Sequence, residues 1–358
     1  MLGLLRRTPP PLVGIDISTT AVKLLGLSAN GDGYRVDHYA VAPLPPEAIV
    51  EKNIAVPEMV VEAIEKAVKL ARVKVKHAAI AVSGSSVITK TIVMPGDLPD
   101  RQMEEQIALE ADQYIPYSLD EVYLDFQILG VNPDNEETVE VLLAAARSDT
   151  VDQRVDVISD TGLIANVVDI EAYAMESAYQ LVAGQLPAEI RNATVAVVDI
   201  GASATTLNVL QNGQSIFTRD QTLGGRQLTE EIQHRYGLSY EDAGRAKKSG
   251  ELPDDYASEL LQPFVESLAQ QTSRLLQTFF SSTAQQQVDH LVLCGGTALL
   301  PGLAEMMEQQ IGVPSVVANP LADMAVAKEI NTQSLQNDSA SLMIACGLAL
   351  RSLDDATR

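Results

Sequence analysis

Two aspartates, Asp16 and Asp199, stand in similar surroundings about half a chain apart. Each ends an apolar segment typical of a buried strand, and a small turn and a second apolar segment follow. The turns are Ser18, Thr19 and Thr20 in the first case and Gly201, Ala202 and Ser203 in the second. Consecutive N–H groups in such turns form a concave phosphate site, and carboxylates can hold a hydrated Mg2+ over it. The repeated pair predicts a magnesium and phosphate site, although a lone aspartate there is often only a turn former.

Three further segments are suited to complete a nucleotide site. Lys23 lies on the segment that returns from the first turn, where its ammonium can reach back toward phosphates. Gly295, Gly296 and Thr297 follow an apolar strand, and paired glycines let the backbone approach a flat ring or a phosphate closely. Lys247 and Lys248, on the short helix predicted for YEDAGRAKKSG, can flank a ribose and base. The plainer alternatives are a solvated strand lysine, an ordinary strand-to-helix turn and an exposed charged helix.

The composition limits the class of protein. The 48 Asp and Glu residues outnumber the 25 Lys and Arg residues, and the net charge of −23 argues against nucleic acid or anionic lipid as a main partner. No apolar run approaches the roughly 18 residues of a spanning helix, so we expect no direct membrane insertion. Cys294 and Cys346 lie in apolar segments and are expected to be buried thiols rather than a disulfide. The sequence contains no P-loop, no dinucleotide-binding motif and no nucleophile elbow.

Each aspartate turn is predicted to lie in a half-unit of three strands, a helix and a further strand. In the first half these elements are strands at 12–17, 21–27 and 34–44, a helix at 57–72 and a strand at 77–84. In the second half they are strands near 195–200, 205–210 and 214–222, a helix at 227–237 and a strand at 289–296. The repetition predicts an α/β protein with two related halves.

The two halves are expected to carry different insertions. Residues 84–162 have the pattern of a small α/β subdomain with three strands, a helix and a closing helix at 149–162, and residues 226–286 are mostly helical. The expected halves are 1–83 with 163–194, and 195–225 with 287–358. The polar run at 331–338 is expected to be a loop, and 341–353 a closing helix with a small-residue face.

In this order the motifs resemble the actin-like ATPase superfamily. GIDISTTAVK is similar to its first phosphate loop, VVDIGASATT to its second and CGGTALLPG to its adenosine loop. EAYAMESA and SLMIACGLAL resemble the two helices that cross between the halves. The resemblance implies a duplicated, ribonuclease H-like two-domain fold that binds ATP or ADP with Mg2+ between the halves.

The strand-rich insertion is similar to the extra subdomain of the FtsA-like branch. EADQYIPYSLDEVYLDFQIL, VVDIEAYAME and the opening MLGLL resemble the PilM family of type IV pilus assembly. This resemblance implies a cytoplasmic, ATP-binding scaffold, peripheral to the inner membrane, that holds the cytoplasmic N-terminal tail of PilN. It also implies contact with other pilus assembly proteins, including the assembly ATPases, with self-association as a further option. Any ATPase activity would be weak.

The resemblance also assigns roles to individual residues. Asp16 and Asp199 would face Mg2+, and Glu171, together with Asp199, would serve the catalytic position that orients attacking water. The phosphate neighbours would be Ser18, Thr19, Thr20, Lys23, Gly201, Ala202 and Ser203, and the adenosine neighbours Lys247, Gly295, Gly296 and Thr297. The chain departs from the pattern at Ser18, where many relatives have glycine, and at Gly244, where many have a ribose-binding glutamate.

A short segment in the insertion is the candidate partner site. Pro116 must end the preceding helix, because proline disfavours helical geometry at Ile115. The candidate partner-binding residues at this corner are therefore Tyr114, Ile115, Pro116 and Tyr117. Tyrosines are common interface anchors, and the alternative is that they only join the insertion to the first half.

Two alternative functions compete with the scaffold. A small-molecule kinase of the same superfamily needs an aspartate base in a sugar pocket, and no segment fits that description. An FtsA-like filament former would need a basic amphipathic helix at its C-terminus, whereas this sequence ends in LRSLDDATR. The related secretion protein GspL carries a spanning helix that has no counterpart in this sequence.

Overall fold

The computed structural model describes residues 10–187 and 193–354. The opening MLGLL, part of the resemblance to the PilM family, and the final residues 355–358 lie outside the described residues.

The first half and its insertion keep the predicted elements in order and add a short hairpin after the third strand and a strand before the first crossing helix, neither of which was predicted. The half begins with β1 (Leu12–Ile17), β2 (Ala21–Asn30), β3 (Gly33–Pro43), β4 (Ile49–Val50), β5 (Asn53–Ile54), α1 (Pro57–Leu70) and β6 (His77–Val82). The insertion consists of β7 (Val87–Pro95), α2 (Asp100–Ala111), β8 (Val122–Asn132) and β9 (Asn135–Arg147). The chain continues through α3 (Ser148–Asp160), β10 (Ile164–Ile170) and the first crossing helix α4 (Glu171–Ala183).

The second half repeats the arrangement with more helix. Its first elements are β11 (Thr194–Ile200), β12 (Thr205–Gln211), β13 (Gln214–Gln221), α5 (Gly225–Tyr236) and α6 (Tyr240–Ser249). A π-helical turn, Ala257–Leu261, leads into α7 (Gln262–Ser282). The remaining elements are β14 (His290–Cys294), α8 (Leu303–Ile311), β15 (Ser315–Val317), β16 (Ala325–Val326), α9 (Thr332–Asp338) and the second crossing helix α10 (Met343–Asp354).

The two main sheets have the same strand order, which confirms the predicted duplication. The first runs β10-β6-β1-β2-β3 and the second runs β15-β14-β11-β12-β13. In each sheet the first three strands of the half form an antiparallel meander, and the next strand runs parallel to the first of them. The first sheet gains a sixth strand because β16, from the second half of the sequence, pairs in parallel with β3.

The apolar sequence of β1 follows from its position in the sheet. All six of its residues are buried, because helices cover both faces of the sheet and a strand covered on both faces is apolar throughout. Helix α1 packs on one face through Val60, Ile64 and Ala67, which recur at helical spacing. The crossing helices α4 and α10 lie over the other face and share a core with both sheets.

The crossing helices touch through small residues. A Cβ atom added to Gly347 of α10 would overlap the main chain of Ala174 in α4, and one added to Gly14 of β1 would overlap the main chain of Ala345. Ala174 and Ala345 are fully buried. The small-residue face of SLMIACGLAL therefore exists because two backbones meet there.

The insertion has a core of its own. Its three strands are ordered β7-β9-β8, and α2 covers one face of this sheet through Met103 and Ile107, which pack with Ile92 and Val141. Helix α3 behaves differently, because its Val157 and Ile158 belong to the core of the first half. We therefore propose that the insertion ends near residue 147 rather than at 162.

One predicted loop is a helix. The run at 331–338 forms α9, and the Asn331 side chain caps it by accepting a hydrogen bond from the backbone N–H of Ser334 at 3.0 Å. The prediction failed because the run is polar and only Leu335 of this helix is buried.

The cysteine prediction is confirmed, since Cys294 and Cys346 are both free and buried. None of the described helices combines the length and hydropathy that crossing a bilayer requires.

Candidate functional site

The first aspartate of the cleft is paired with a lysine. Asp16 lies directly opposite Lys23 in the β1–β2 register, and the Nζ atom of Lys23 donates to Oδ2 of Asp16 at 2.8 Å. Asp16 is only 3% exposed. Burial lowers the pKa of Lys23, but the carboxylates of Asp16, Asp199 and Glu171 outweigh that effect and raise the pKa overall. The predicted lysine is thus placed in the cleft as a charged group.

The second aspartate has no equivalent lysine partner on its own sheet. Asp199 lies opposite Thr206 in the β11–β12 register. Burial is the main reason that the pKa of Asp199 rises to about 6, with Lys23 lowering it and Asp16 and Glu171 raising it. Asp16, Asp199 and Glu171 therefore share one region of negative charge around Lys23.

The two turns face each other. The first is closed by the Ser18 N–H, which donates to Ala21 O at 3.1 Å. The second is closed in the same way by the Gly201 N–H, which donates to Ala204 O at 2.9 Å. The hydroxyl of Ser203 donates to Thr19 Oγ1 at 3.3 Å across the cleft. The two predicted phosphate turns are therefore brought together.

The turns keep donors available for a ligand. Within residues 10–187 and 193–354, the turn N–H groups that make no hydrogen bond are those of Thr19, Thr20, Ala202 and Ser203. Such unpaired donors, beside Lys23 and two carboxylates, fit a Mg2+-bound phosphate chain. The described residues hold no cluster of three or more side chains able to ligate a metal.

The glycine pair closes against the second turn. Gly295 has φ of +87°, and a Cβ atom on it would overlap Oδ1 of Asp199, so no larger residue fits this position. The Thr297 N–H donates to Ile200 O at 3.0 Å, and its hydroxyl donates to Gly201 O at 2.9 Å. Gly296 remains exposed. The predicted adenosine segment is thus joined to the phosphate turn.

Lys247 is held more tightly than predicted. Its Nζ atom donates to Gly225 O at 2.8 Å and to Thr229 Oγ1 at 2.6 Å, both on the first turn of α5. Burial, and after it the like charge of Lys248, lowers the pKa of Lys247 to about 8. Lys247 therefore supports the wall beside the glycine pair in addition to any contact with a nucleotide.

Glu171 has a partner that the motifs did not reveal. It begins α4, and its Oε2 atom lies 3.4 Å from Nζ of Lys52, which also donates to Oδ2 of Asp220 at 2.7 Å. Lys52 sits at the tip of the β4–β5 hairpin and Asp220 on β13. Arg154 of α3, only 4% exposed, donates to the backbone O of Lys52 at 3.1 Å. Sequence reasoning missed these three residues because none of them lies in a recognisable motif.

The side chains of the candidate partner segment differ in how far they are buried. Tyr114 and Tyr117 are each 42% exposed, whereas Ile115 is 7% exposed and packs in the insertion core. The partner role of Ile115 stays a prediction, and its side chain packs in the insertion core under α2. Pro116 is exposed, and α2 ends at Ala111, before it. The Lys90 ammonium lies 5.5 Å from the Tyr114 ring centre, and the Arg147 guanidinium 5.8 Å from that of Tyr117.

Solved structures share this architecture. A chain in the PilM-PilN type IV pilus biogenesis complex is 29% identical, with 96% of this chain and 98% of that chain aligned at a TM-score of 0.79. MreB5 of Spiroplasma citri, solved with ADP bound, is 12% identical and aligns over 98% of this chain and 99% of its own at a TM-score of 0.50. The second likeness shows the fold alone, and together the two confirm the predicted actin-like, duplicated fold.

Sequence comparison agrees with the structural likeness. Cell division protein FtsA of Bacillus subtilis (strain 168) is 25% identical over 274 residues, which are 69% of this chain and 60% of FtsA. The alignment thus spans about three fifths of that relative's length. The family model of the type IV pilus assembly protein PilM matches residues 14–353, a range that includes both halves, the insertion and nearly all of α10. The chain therefore belongs to the PilM family of type IV pilus assembly proteins.

Proposed function

We propose that this protein is an ATP-binding scaffold that holds the cytoplasmic N-terminal tail of PilN during type IV pilus assembly. The observation that carries the proposal is the likeness to the chain in the PilM-PilN complex, which extends over 96% of this protein at a TM-score of 0.79. The PilM family model, matched from residue 14 to 353, supports the same function. In this function the protein acts in the cytoplasm and reaches the inner membrane through its partner.

The nucleotide part of the proposal is supported by the donor set of the cleft. Asp16 and Asp199 would hold Mg2+, which supplies positive charge between the phosphates and the protein. The free N–H groups of the two turns would bind phosphate oxygens, with Lys23 beside them. The glycine pair Gly295 and Gly296 would let the adenosine approach the backbone.

The partner part of the proposal is supported by the tyrosine corner, defined as Tyr114, Pro116 and Tyr117. Both tyrosines are 42% exposed, and a tyrosine combines apolar area with a hydroxyl, which makes it a common interface anchor. Lys90 and Arg147 lie against the two rings and hold them in place. These two cations also offset the acidic surface locally, so apolar contacts rather than charge would supply most of the affinity for a tail.

Hydrolysis would be slow in such a scaffold. Glu171 is the candidate for orienting water, but one of its oxygens faces the Lys52 ammonium at 3.4 Å. The oxygen that faces this ammonium is less available to accept a hydrogen bond from an attacking water. Nucleotide would therefore act mainly as a conformational ligand, and contacts with other assembly proteins, including the assembly ATPases or further copies of this chain, would depend on the bound state.

The proposal is tested by measuring both ligands on the full chain. Calorimetry with Mg2+ and ATP tests the cleft, and fluorescence anisotropy with a labelled PilN N-terminal peptide tests the scaffold. A scrambled peptide of the same composition is the matched control. Binding of the native peptide alone supports the proposal. Equal binding of both peptides, or of neither, would overturn it.

A further inference from the structure

Lys52 connects the two halves with one side chain. Its Nζ atom donates to Asp220 of β13, in the second half, at 2.7 Å, and to Glu171, the first residue of α4, at 3.4 Å. Lys52 itself belongs to the β4–β5 hairpin of the first half. The three side chains are 16–21% exposed, so these contacts are only partly screened by water.

The backbone beneath Lys52 is built to hold that side chain in one place. Glu51 and Lys52 have φ of 49° and 67°, a left-handed conformation that costs side-chain-bearing residues roughly 1 kcal/mol or more each. Buried Arg154 donates to the backbone O of Lys52 at 3.1 Å and fixes the hairpin tip from below. A glycine would satisfy this turn at lower cost, so the presence of lysine points to a use for its ammonium.

Asp220, which accepts the hydrogen bond from Lys52, is held in place by several further donors. Burial raises the pKa of Asp220, but the charge and hydrogen bond of Lys52, with further hydrogen bonds from Thr206 and Ser85, outweigh it and lower the pKa overall. The Thr206 hydroxyl donates at 2.6 Å. Ser85 lies in the short 3-10 helix that leads into β7, so the carboxylate binds groups from both halves at the base of the insertion.

From this geometry we propose that Lys52 is a latch that holds the two halves together over the nucleotide cleft and slows the exchange of nucleotide. The latch closes the cleft where Glu171 begins α4, by tying β13 to the β4–β5 hairpin. Removing the ammonium leaves Glu171 and Asp220 without the cation between them, so β13 moves away from the hairpin. The part of the inference that concerns exchange rests on the proposed nucleotide-binding function, whereas the part that concerns the contact between the halves does not.

The exchange rate tests the latch when nucleotide is bound. A fluorescent ADP analogue is loaded with Mg2+ onto the full chain and displaced by excess ADP in a stopped-flow instrument. We expect Lys52→Met to raise the dissociation rate by about tenfold, the scale of a partly buried charge pair, and Lys52→Arg to restore most of the wild-type rate. Lys66→Met, an exposed lysine of α1, is the matched control and should leave the rate unchanged. Equal rates for Lys52→Met and wild type would overturn the proposal.

A second readout needs no nucleotide. Spin labels are placed on cysteines introduced at the exposed positions Glu65 of α1 and Gln277 of α7. The native Cys294 and Cys346 are buried and should not label. Without nucleotide, the distance distribution should lengthen or broaden in Lys52→Met and not in Lys66→Met. An unchanged distance distribution would overturn the latch, even if the protein binds nucleotide. If wild type does not bind nucleotide, the proposed function is rejected, and the spin-label distances still test the latch.

Discussion

Asp16 and Lys23 are cross-strand neighbours joined at 2.8 Å, whereas the corresponding pair in the second half is Asp199 and Thr206. The duplicated halves are therefore not equivalent electrically. The first aspartate has a cation beside it, and the second depends on that same Lys23 from across the cleft. Because of this asymmetry, Lys23 acts on both carboxylates, and of the two aspartates in the proposed metal site the first half supplies the one that is directly paired.

The first prediction concerns that aspartate. Asp16→Ala should weaken the binding of Mg2+ and ATP by about 2–3 kcal/mol, the scale of a lost contact to a charged group. Calorimetry in excess Mg2+ measures the change, and a thermal melt confirms that the variant is folded. Asp134→Ala, at an exposed position between β8 and β9, is the control. An Asp16→Ala protein that is folded and binds nucleotide with wild-type affinity would contradict the site.

The second prediction concerns hydrolysis. Phosphate release from ATP should remain below about 1 per second, slower than typical enzymes, because Glu171 is engaged by Lys52. Glu171→Gln should lower the rate further while nucleotide affinity, measured by calorimetry, changes little. A faster wild-type turnover, or a Glu171→Gln protein that hydrolyses ATP at the wild-type rate, would remove Glu171 from its proposed role.

The third prediction concerns the tyrosine corner. Tyr114→Ala and Tyr117→Ala should each weaken binding of a labelled PilN tail peptide by about tenfold, as expected for an aromatic anchor. Anisotropy titration measures this, and salt should weaken the binding only partly. Tyr123→Ala is the matched control, because Tyr123 is 54% exposed on the same insertion. If the Tyr114 and Tyr117 variants fold and bind like wild type, the groove lies elsewhere.

The fourth prediction concerns the crossing helices. Gly347→Ala should lower the free energy of unfolding by about 3 kcal/mol or more, because the new methyl group would overlap the Ala174 main chain. Urea denaturation measures the change. Gly33→Ala is the control, since its nearest neighbour would be 3.9 Å away, and it should be close to neutral. Equal stability of the two variants would mean that α4 and α10 can move apart to make room for the methyl group with no loss of stability.

The fifth prediction is a pH dependence. The pKa of Lys247 is about 8 in the folded protein and about 10.4 in an unfolded chain. Between these values the unfolded chain binds more protons, so the contribution of Lys247 to stability rises with pH. The unfolding free energy of wild type relative to Lys247→Met should increase by on the order of 2–3 kcal/mol from pH 7.5 to 10.5.

The same pH series on Lys66→Met supplies the baseline for an exposed lysine. A constant difference between wild type and Lys247→Met across this pH range would show that the pKa of Lys247 is not depressed.

The apolar pattern of the sequence predicted the strands that end in the two aspartate turns, and with them the position of the candidate site. The bounds of β1 match the prediction, and the approach of the two aspartate turns follows from the duplicated strand order. The Lys52 contacts could not be predicted in this way. They join residues 119 and 168 positions apart, and the hairpin that presents Lys52 has strands of only two residues each. Helix α9 was missed because its stability comes from a cap and one buried leucine rather than an apolar face.

The contact between Gly347 and Ala174 also governs how the protein can move. At this one point the two helices meet backbone to backbone, because a Cβ atom on Gly347 would overlap the main chain of Ala174. Around this point the large side chains of Met175, Tyr179 and Leu348 are fully buried in the core that the two helices share with both sheets. Sliding one helix along the other would bring a side chain against the Gly347 backbone and open a gap in this core, so the crossing fixes the register of α10 against α4.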